Sequence, residues 1–227
     1  EQPKTHVPLG EERVFTYDVR AEFVSAAKAG FDALRVRTPA RAEFLRFEMG
    51  DPLTAVAPDS VSVGDGEMLI YFPTNRVDAT NNRPLRLVFK TGVFSFNALF
   101  LAEVFSSGEL ILPQSVNPGD ANPEVSTNSL EVLAPSDKLE VLGDVESASV
   151  LTPNGDGRND TVELAYSLLG VQLSRVDFEI YDLSGRKVRT LVAETRKEGR
   201  YVDEWDGIGN GTGLVPPGIY LARLAVD

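Results

Sequence analysis

The chain has 227 residues, of which 34 are acidic and 22 are basic, so its formal net charge is −12. This charge argues against nucleic-acid binding, because phosphates need a positive protein face, and against binding to anionic membrane surfaces. Cysteine is absent and His6 is the one histidine, which excludes disulfides and zinc–thiolate sites and nearly excludes histidine-based catalytic triads. The apolar content of 42% is typical of folded proteins, and the length suits one large or two ordinary domains.

No run of 18 apolar residues is present, so we expect no membrane insertion. Glu1 is not followed by the apolar core of a signal peptide, and residues 221–227 end the chain in a strand-like run. We therefore expect a fragment, or the mature part of a larger protein.

Alternating apolar and polar residues predict strands through the first half of the chain. The first such run places Phe15, Tyr17, Val19, Ala21 and Phe23 on one face, which is typical of a half-buried strand. Similar runs follow at residues 34–37, 42–49, 61–63, 68–72 and 85–90. The short loop of residues 64–66, Gly-Asp-Gly, predicts a hairpin. The alanine-rich residues 25–30 are enough for one helical turn only.

The region between residues 93 and 149 is harder to interpret. Residues 93–105 form the most apolar run, and they predict either a buried strand pair or a short helix; we favour strands because phenylalanine and valine dominate. Residues 113–129 predict a long polar loop. Leu-Glu-Val-Leu occurs at both 130–133 and 139–142, which indicates two strands around a turn, or one strand that closes a first domain and one that leads away. Residues 143–149 are the predicted linker.

No segment shows a sustained period of 3.6 residues, and turn signals recur about every 8–12 residues. The fold class that this pattern predicts is all-β, with two β-sandwich domains at residues 1–144 and 145–227.

The second domain contains a clear hairpin pattern. Val176, Phe178 and Ile180 alternate with polar residues before a turn at residues 182–185, and residues 187–192 return. The return strand carries Arg186, Lys187 and Arg189, which we interpret as a solvated strand face rather than a basic binding patch. Trp205, the one tryptophan, ends another predicted strand, and we expect it in the core.

Three segments of this domain, residues 181–191, 205–207 and 215–220, resemble the Ig-like domain of the flagellar hook-capping family. Similar domains at the C-termini of exported bacterial proteins resemble the sorting and attachment modules of type IX secretion. Those modules often open with Thr-Pro-Asn-Gly-Asp-Gly-x-Asn-Asp, and residues 152–160 are similar throughout. The resemblance covers about the last third of the chain. It implies an Ig-like second domain and an extracellular or cell-surface location.

The same segment supplies the candidate metal ligands. Asn154, Asp156, Asn159 and Asp160 offer oxygen atoms within a glycine-rich loop, and such oxygens suit Ca²⁺. An EF-hand is rejected, because Thr152 stands where an aspartate is needed and strand-like alternation follows where a helix should begin. The alternative is a turn rich in asparagine and aspartate whose side chains bind its own backbone. Residues 117–124 form a weaker candidate loop.

We interpret the chain as a non-catalytic, exported bacterial surface module that acts as a structural, anchoring or assembly domain pair. Its expected partners are other surface or secretion proteins, or copies of itself. The alternative is a carbohydrate- or peptide-binding module with its site in the first domain. The candidate aromatic residues for such a site are Tyr71, Phe72, Phe94, Phe96 and Phe100, although we expect most of them in the core. Glu103, an acid within the most apolar run, is expected to be partly buried, either near a strand edge or in a ligand cleft.

Overall fold

The computed structural model describes residues 5–23, 30–108, 112–123, 129–137, 140–148, 150–211 and 213–227. Contacts divide the chain into a first unit, Glu1–Ser136, and a second unit, Asp137–Asp227. The all-β prediction is confirmed, since 50% of the chain is strand and 1% is helical. The described helical part is a 3-10 turn at Pro73–Asn75. The helical turn predicted at residues 25–30 lies almost wholly outside the described residues.

The first unit contains twelve described strands. They are β1 (Thr5–His6), β2 (Glu12–Val19), β3 (Ala33–Arg37), β4 (Glu43–Met49), β5 (Thr54–Ala55), β6 (Ser60–Val63), β7 (Glu67–Tyr71), β8 (Leu85–Gly92), β9 (Asn97–Leu99), β10 (Ala102–Phe105), β11 (Gln114–Ser115) and β12 (Glu131–Leu133).

Two sheets of the first unit share one hydrophobic core. One has the strand order β2-β8-β4-β5 and the other has the order β11-β10-β3-β7-β6. Alternate residues point inward, so that Val36 and Ile70 of one sheet join Phe47 and Leu87 of the other in the core. A third, small sheet has the order β1-β12-β9. Because β2 and β11 end their sheets, each presents an outer edge.

The strand interpretation of the most apolar run is confirmed. Residues 93–105 contain β9 and β10 and no helix. The predicted Gly-Asp-Gly hairpin is also present, since β6 and β7 pair antiparallel on either side of it. The polar loop at residues 113–129 contains the short strand β11, and the remainder of its described part is irregular.

The second unit contains six described strands in two sheets. They are β13 (Leu142–Ser147), β14 (Val162–Leu168), β15 (Ser174–Asp182), β16 (Lys187–Arg196), β17 (Gly199–Trp205) and β18 (Tyr220–Val226). The sheet orders are β13-β14-β17 and β16-β15-β18. Tyr166 and Leu168 from one sheet share a core with Val176 and Phe178 from the other, as in a β-sandwich. The Ig-like description stays a prediction.

The structure differs from the sequence interpretation at the predicted linker. Residues 142–147 form β13, which pairs antiparallel with β14, and the first unit ends at Ser136, eight residues before the predicted boundary at 144/145. Gly143 and Asp144 look like a turn in the sequence, but they lie at a register shift in the strand pair, where Asp144 has φ = 48°. A glycine-containing β-bulge and a linker share the same local sequence signal. Of the two Leu-Glu-Val-Leu copies, the first contains β12 of the first unit, whereas of the described residues 140–142 of the second copy only Leu142 lies in a strand, β13 of the second unit.

Candidate functional site

The loop of residues 151–160 is organised around the carboxylate of Asp160. Its Oδ1 accepts hydrogen bonds from the backbone N–H groups of Asn154 (3.0 Å) and Gly155 (2.7 Å), and its Oδ2 accepts one from Gly157 (2.7 Å). Gly155 and Gly157 have φ of 79° and 80°, a conformation that side chains disfavour and that turns their N–H groups inward. The bonds from Gly155 and Gly157 lower the pKa of Asp160.

Two further candidate ligands complete this network. The N–H of Asp156 donates to Asn154 Oδ1 (3.0 Å), and the N–H of Arg158 donates to Asp156 Oδ1 (2.8 Å). The side-chain amide of Asn154 donates to Asp156 Oδ2 (3.0 Å). Asn159, with φ = 52°, contributes its backbone carbonyl, which accepts the N–H of Thr152 at 2.7 Å. The structure therefore brings Asn154, Asp156 and Asp160 into one network.

These contacts are those of a turn that satisfies its own backbone. The oxygens of Asn154, Asp156 and Asp160 face N–H groups, so a cation would have to share or displace those hydrogen bonds to gather the six to eight oxygens that Ca²⁺ takes. Among the described residues no group of three or more His, Cys, Asp or Glu side chains is arranged to hold a metal ion. Calcium binding through Asn154, Asp156, Asn159 and Asp160 stays a prediction.

The calcium prediction has a direct test in the loop itself. If the loop binds calcium, 1 mM Ca²⁺ raises the melting temperature of the second unit above its value in EDTA. The Asp160→Asn variant should show no such increase. Equal melting temperatures for the parent chain in the two buffers would contradict it.

In either buffer we expect Asp160→Asn to speed amide exchange at Gly155 and Gly157 by roughly tenfold, because a neutral amide oxygen is the weaker acceptor. Unchanged exchange would mean that the carboxylate does not hold the turn.

The outer face of β15 carries a second charge network, centred on Glu179. Lys187 Nζ donates to Oε1 (2.8 Å), while the hydroxyl of Tyr181 (2.7 Å) and Nη1 of Arg223 (3.1 Å) donate to Oε2. The bonds from Lys187 and Tyr181 lower the pKa of Glu179 to about 2. Glu179 and Arg223 are direct cross-strand partners. They lie far apart in the sequence, so the sequence analysis did not identify this cluster.

Glu179 should make the stability of the second unit depend on pH in acid. Because its pKa is lower in the folded than in the unfolded chain, its stabilising effect is present above about pH 4.3 and is lost as the pH falls towards 2. We expect the Glu179 carboxyl carbon to titrate in NMR spectra with a midpoint of about 2. The Glu179→Gln variant should lose part of the decline in melting temperature between these pH values. A midpoint above 4 in the folded protein would contradict the network.

The basic residues of the β15–β16 hairpin are paired with neighbouring groups. Lys187 contacts Glu179, Arg186 Nε lies 3.0 Å from an oxygen of Asp182, and Arg189 donates to the carbonyl of Gly209 at 3.1 Å. The side chains of Arg186 and Lys187 are 74% and 43% exposed. This arrangement is that of a solvated strand face, as the sequence indicated.

The aromatic residues suggested for a binding platform in the first unit do not form one. Phe72, Phe94 and Phe100 are buried, with exposures of 0%, 4% and 4%, which agrees with the expectation that most of these residues belong to the core. Tyr71 is partly exposed and Phe96 is exposed. Large aromatic side chains are stabilised by burial in a core, but they also occur on binding surfaces. Residue type alone therefore could not separate the two roles.

Glu103 is partly buried, as predicted, and it has a structural partner. Its Oε2 lies 3.0 Å from Nη1 of Arg35, the residue directly opposite on β3. The pair lies next to the edge strand β11. These contacts favour the strand-edge interpretation of Glu103.

The first unit contains a cleft of about 590 Å³ that sequence reasoning did not identify. Its walls are two continuous segments, residues 15–23 and 114–122, and its floor includes the rings of Phe31, Phe89 and Phe100. Of the candidate loop at 117–124, residues 117–122 belong to this wall, and Glu124 lies outside the described residues. The walls lie almost a hundred positions apart in the chain, so no local pattern could have placed them together.

The described part of the chain contains no helix long and apolar enough to cross a membrane. In a comparison with known families, residues 145–227 match the model of CHU_C, described as a type IX secretion signal domain. This match covers less than half of the chain, and it indicates that the second unit is the sorting module of an exported protein. The narrower resemblance to hook-capping domains is not confirmed.

Solved structures give weak similarities only. A beta-glucuronidase from Lactobacillus rhamnosus is 12% identical, with a TM-score of 0.21, over 96% of this chain and 33% of that chain. A β-glucuronidase from Ruminococcus gnavus in complex with uronic deoxynojirimycin is 11% identical, with a TM-score of 0.20, over 96% and 33%. The chain thus spans about a third of their length, and scores of this size do not establish a shared fold. No curated protein matches the chain.

Proposed function

We propose that the chain is a non-catalytic bacterial surface module in which the second unit directs export and attachment and the first unit is the part presented outside the cell. The match of residues 145–227 to a type IX secretion signal domain is the observation that carries this proposal. The second unit has its own core, centred on Tyr166, Phe178 and Trp205, and such a core suits a module that is reused behind different proteins.

The chemistry of the chain supports a passive role. With one histidine and no cysteine, the chain can offer no thiol nucleophile and a single imidazole as general base. The expected partners are other surface or secretion proteins, or further copies of the chain. Contact with them would use exposed strands and loops rather than a catalytic cleft.

Export can be tested with a reporter protein placed before parts of the second unit, in a bacterium that has type IX secretion. We expect residues 137–227 to direct the reporter to the cell surface. Residues 145–227, the span of the family match, should do so less efficiently, because a start at 145 cuts β13 in half and removes the partners of Ser167 and Leu168 on β14.

The full chain supplies the control for this experiment. Removing residues 137–227 from it should keep the first unit inside the cell. Surface delivery of the first unit alone, or failure of both reporter fusions when they are folded and stable, would contradict the proposed function. Equal delivery by the two fusions would contradict only the role given to β13.

A further inference from the structure

Two asparagine–glycine pairs occur in the second unit, at residues 154–155 and 210–211, and no other asparagine of the chain precedes a glycine. Asparagine is one of the thermally labile residues. The backbone nitrogen of the next residue can attack its side-chain carbonyl carbon, and glycine hinders this attack least because it has no side chain. Both pairs lie in exposed loops, so water reaches both. The contacts around each pair therefore decide which one reacts.

The carbonyl groups that would be attacked have similar surroundings in the two pairs. Oδ1 of Asn154 accepts a hydrogen bond from the N–H of Asp156 at 3.0 Å, and Oδ1 of Asn210 accepts one from the N–H of Thr190 at 3.1 Å. A donor at this oxygen stabilises the negative charge that develops there during the attack. The two sites therefore offer comparable electrophiles.

The attacking nitrogen of the first pair is held by a carboxylate. The N–H of Gly155 donates to Oδ1 of Asp160 at 2.7 Å, and the side-chain amide of Asn154 donates to Oδ2 of Asp156 at 3.0 Å. The attack requires the N–H to lose its proton, and the resulting negative nitrogen would lie beside the negative charge of Asp160. The charge-assisted hydrogen bond must also be broken. The fold therefore opposes the reaction at Asn154.

The attacking nitrogen of the second pair has no such acceptor. Gly211 is exposed, and its N–H makes no hydrogen bond among the residues that the structure describes. Asn210, in contrast, is anchored to β16, since its N–H donates to the carbonyl of Val188 at 2.7 Å and its Oδ1 accepts the N–H of Thr190. The second pair therefore combines a polarised carbonyl with an unrestrained nucleophile.

We propose that Asn210 is a site of spontaneous deamidation and that Asp160 protects Asn154 from the same reaction. The nitrogen of Gly211 forms a bond to Cγ of Asn210, and the side-chain nitrogen leaves as ammonia with the proton of the Gly211 N–H. Water then opens the cyclic imide at either of its carbonyl carbons and gives aspartate or isoaspartate. Isoaspartate places an additional carbon atom in the main chain of the loop that Asn210 anchors to β16. This chemistry is separate from the export role of the second unit.

The test uses the full chain, kept folded in neutral buffer until a sample unfolded in guanidinium chloride has lost half of its Asn210 amide. The tryptic peptides of residues 139–158 and 201–223 contain one asparagine each, so mass spectrometry follows the two sites separately. In the folded chain we expect Asn210 to deamidate faster than Asn154 by about tenfold or more, because only Asn154 requires a charge-assisted bond to be broken. In the unfolded sample the two rates should be similar. Equal rates in the folded chain, or an intact Asn210, would overturn the proposal.

Matched variants separate the role of Asp160 from a general charge effect. Asp160→Asn should speed deamidation of Asn154 by about tenfold or more and leave Asn210 unchanged. Asp177→Asn removes the same charge from a partly exposed residue of β15 and should change neither site. An unchanged rate at Asn154 in Asp160→Asn, or an equal acceleration in Asp177→Asn, would contradict the protection by Asp160.

Gly211→Ala tests the attacking nitrogen at the second site. A Cβ at this position meets no other atom within 4 Å, so the fold accepts the substitution. The added methyl group hinders ring closure, and deamidation of Asn210 should slow severalfold while Asn154 is unaffected. The parent rate at Asn210 in this variant would show that the amide is lost by direct hydrolysis and would contradict the attack by Gly211.

Discussion

Replacing Arg196 by alanine is expected to lower the free energy of unfolding of the second unit by about 3–5 kcal/mol. Arg196, at the end of β16, makes two hydrogen bonds to the carboxylate of Asp203 on β17, at 2.9 and 3.0 Å. It also donates to the hydroxyl of Tyr166 on β14 at 2.6 Å and lies over the ring of Tyr201, 4.6 Å from its centroid. The side chains of Arg196 and Asp203 are only 12% and 15% exposed, so the substitution would leave a nearly buried carboxylate without its partner.

Arg200 supplies the matched control for this prediction. It also forms an ion pair from β17, with Glu146 at 3.3 Å, but the two side chains are 42% and 71% exposed. Arg200→Ala should therefore cost less than about 1 kcal/mol. Denaturant unfolding followed by the fluorescence of Trp205, the one tryptophan, reports on the second unit for both variants. Similar losses for the two substitutions would show that Arg196 does not join the two sheets.

Replacing Trp205 by alanine is expected to cost about 3–5 kcal/mol through the cavity that it leaves. The indole is 6% exposed and lies within the core of the second unit. Its Nε1 donates to the carbonyl of Ile208 at 3.0 Å, and its ring meets that of Tyr220 edge-on, with centroids 5.3 Å apart. The substitution would remove the packing and leave that carbonyl without its donor.

Circular dichroism during thermal unfolding would measure this second effect, since the variant lacks the fluorescent residue. The control is Leu221→Ala on β18, where the side chain is 55% exposed and the expected change lies within about 0.5 kcal/mol. A Trp205→Ala variant that unfolds at the parent temperature would contradict the core assignment.

The strands whose side chains alternate regularly were predictable from sequence. Phe15, Tyr17 and Val19 place β2 correctly, and the Asp182–Gly185 turn, with Gly185 at φ = 80°, places the β15–β16 hairpin. In both cases the information is local, because a period of two or a glycine in the left-handed region is visible within a few residues. Trp205 was also placed in the core for a local reason, its size.

Features that depend on distant residues were not predictable. β13 has no regular alternation, and it is a strand because β14 pairs with it, so its sequence resembled a linker. The two basic partners of Glu179, Lys187 and Arg223, come from β16 and β18, and nothing near Glu179 in the chain identifies Arg223. The loop at 151–160 is intermediate: its ligand-type residues were visible, but their contacts with the loop backbone depend on the exact turn conformation.

Ionic strength should act differently on the two charge clusters of the second unit. The screening length falls from about 8 Å at physiological salt to about 3 Å at 1 M. Around Glu179, the side chains of Arg223 and Lys187 are 61% and 43% exposed, so dissolved ions can reach and weaken those pairs. The pair of Arg196 with Asp203 is largely shielded from dissolved ions. We therefore expect the link between the two sheets to persist at 1 M salt, while the ion pairs of the outer face are screened and weakened.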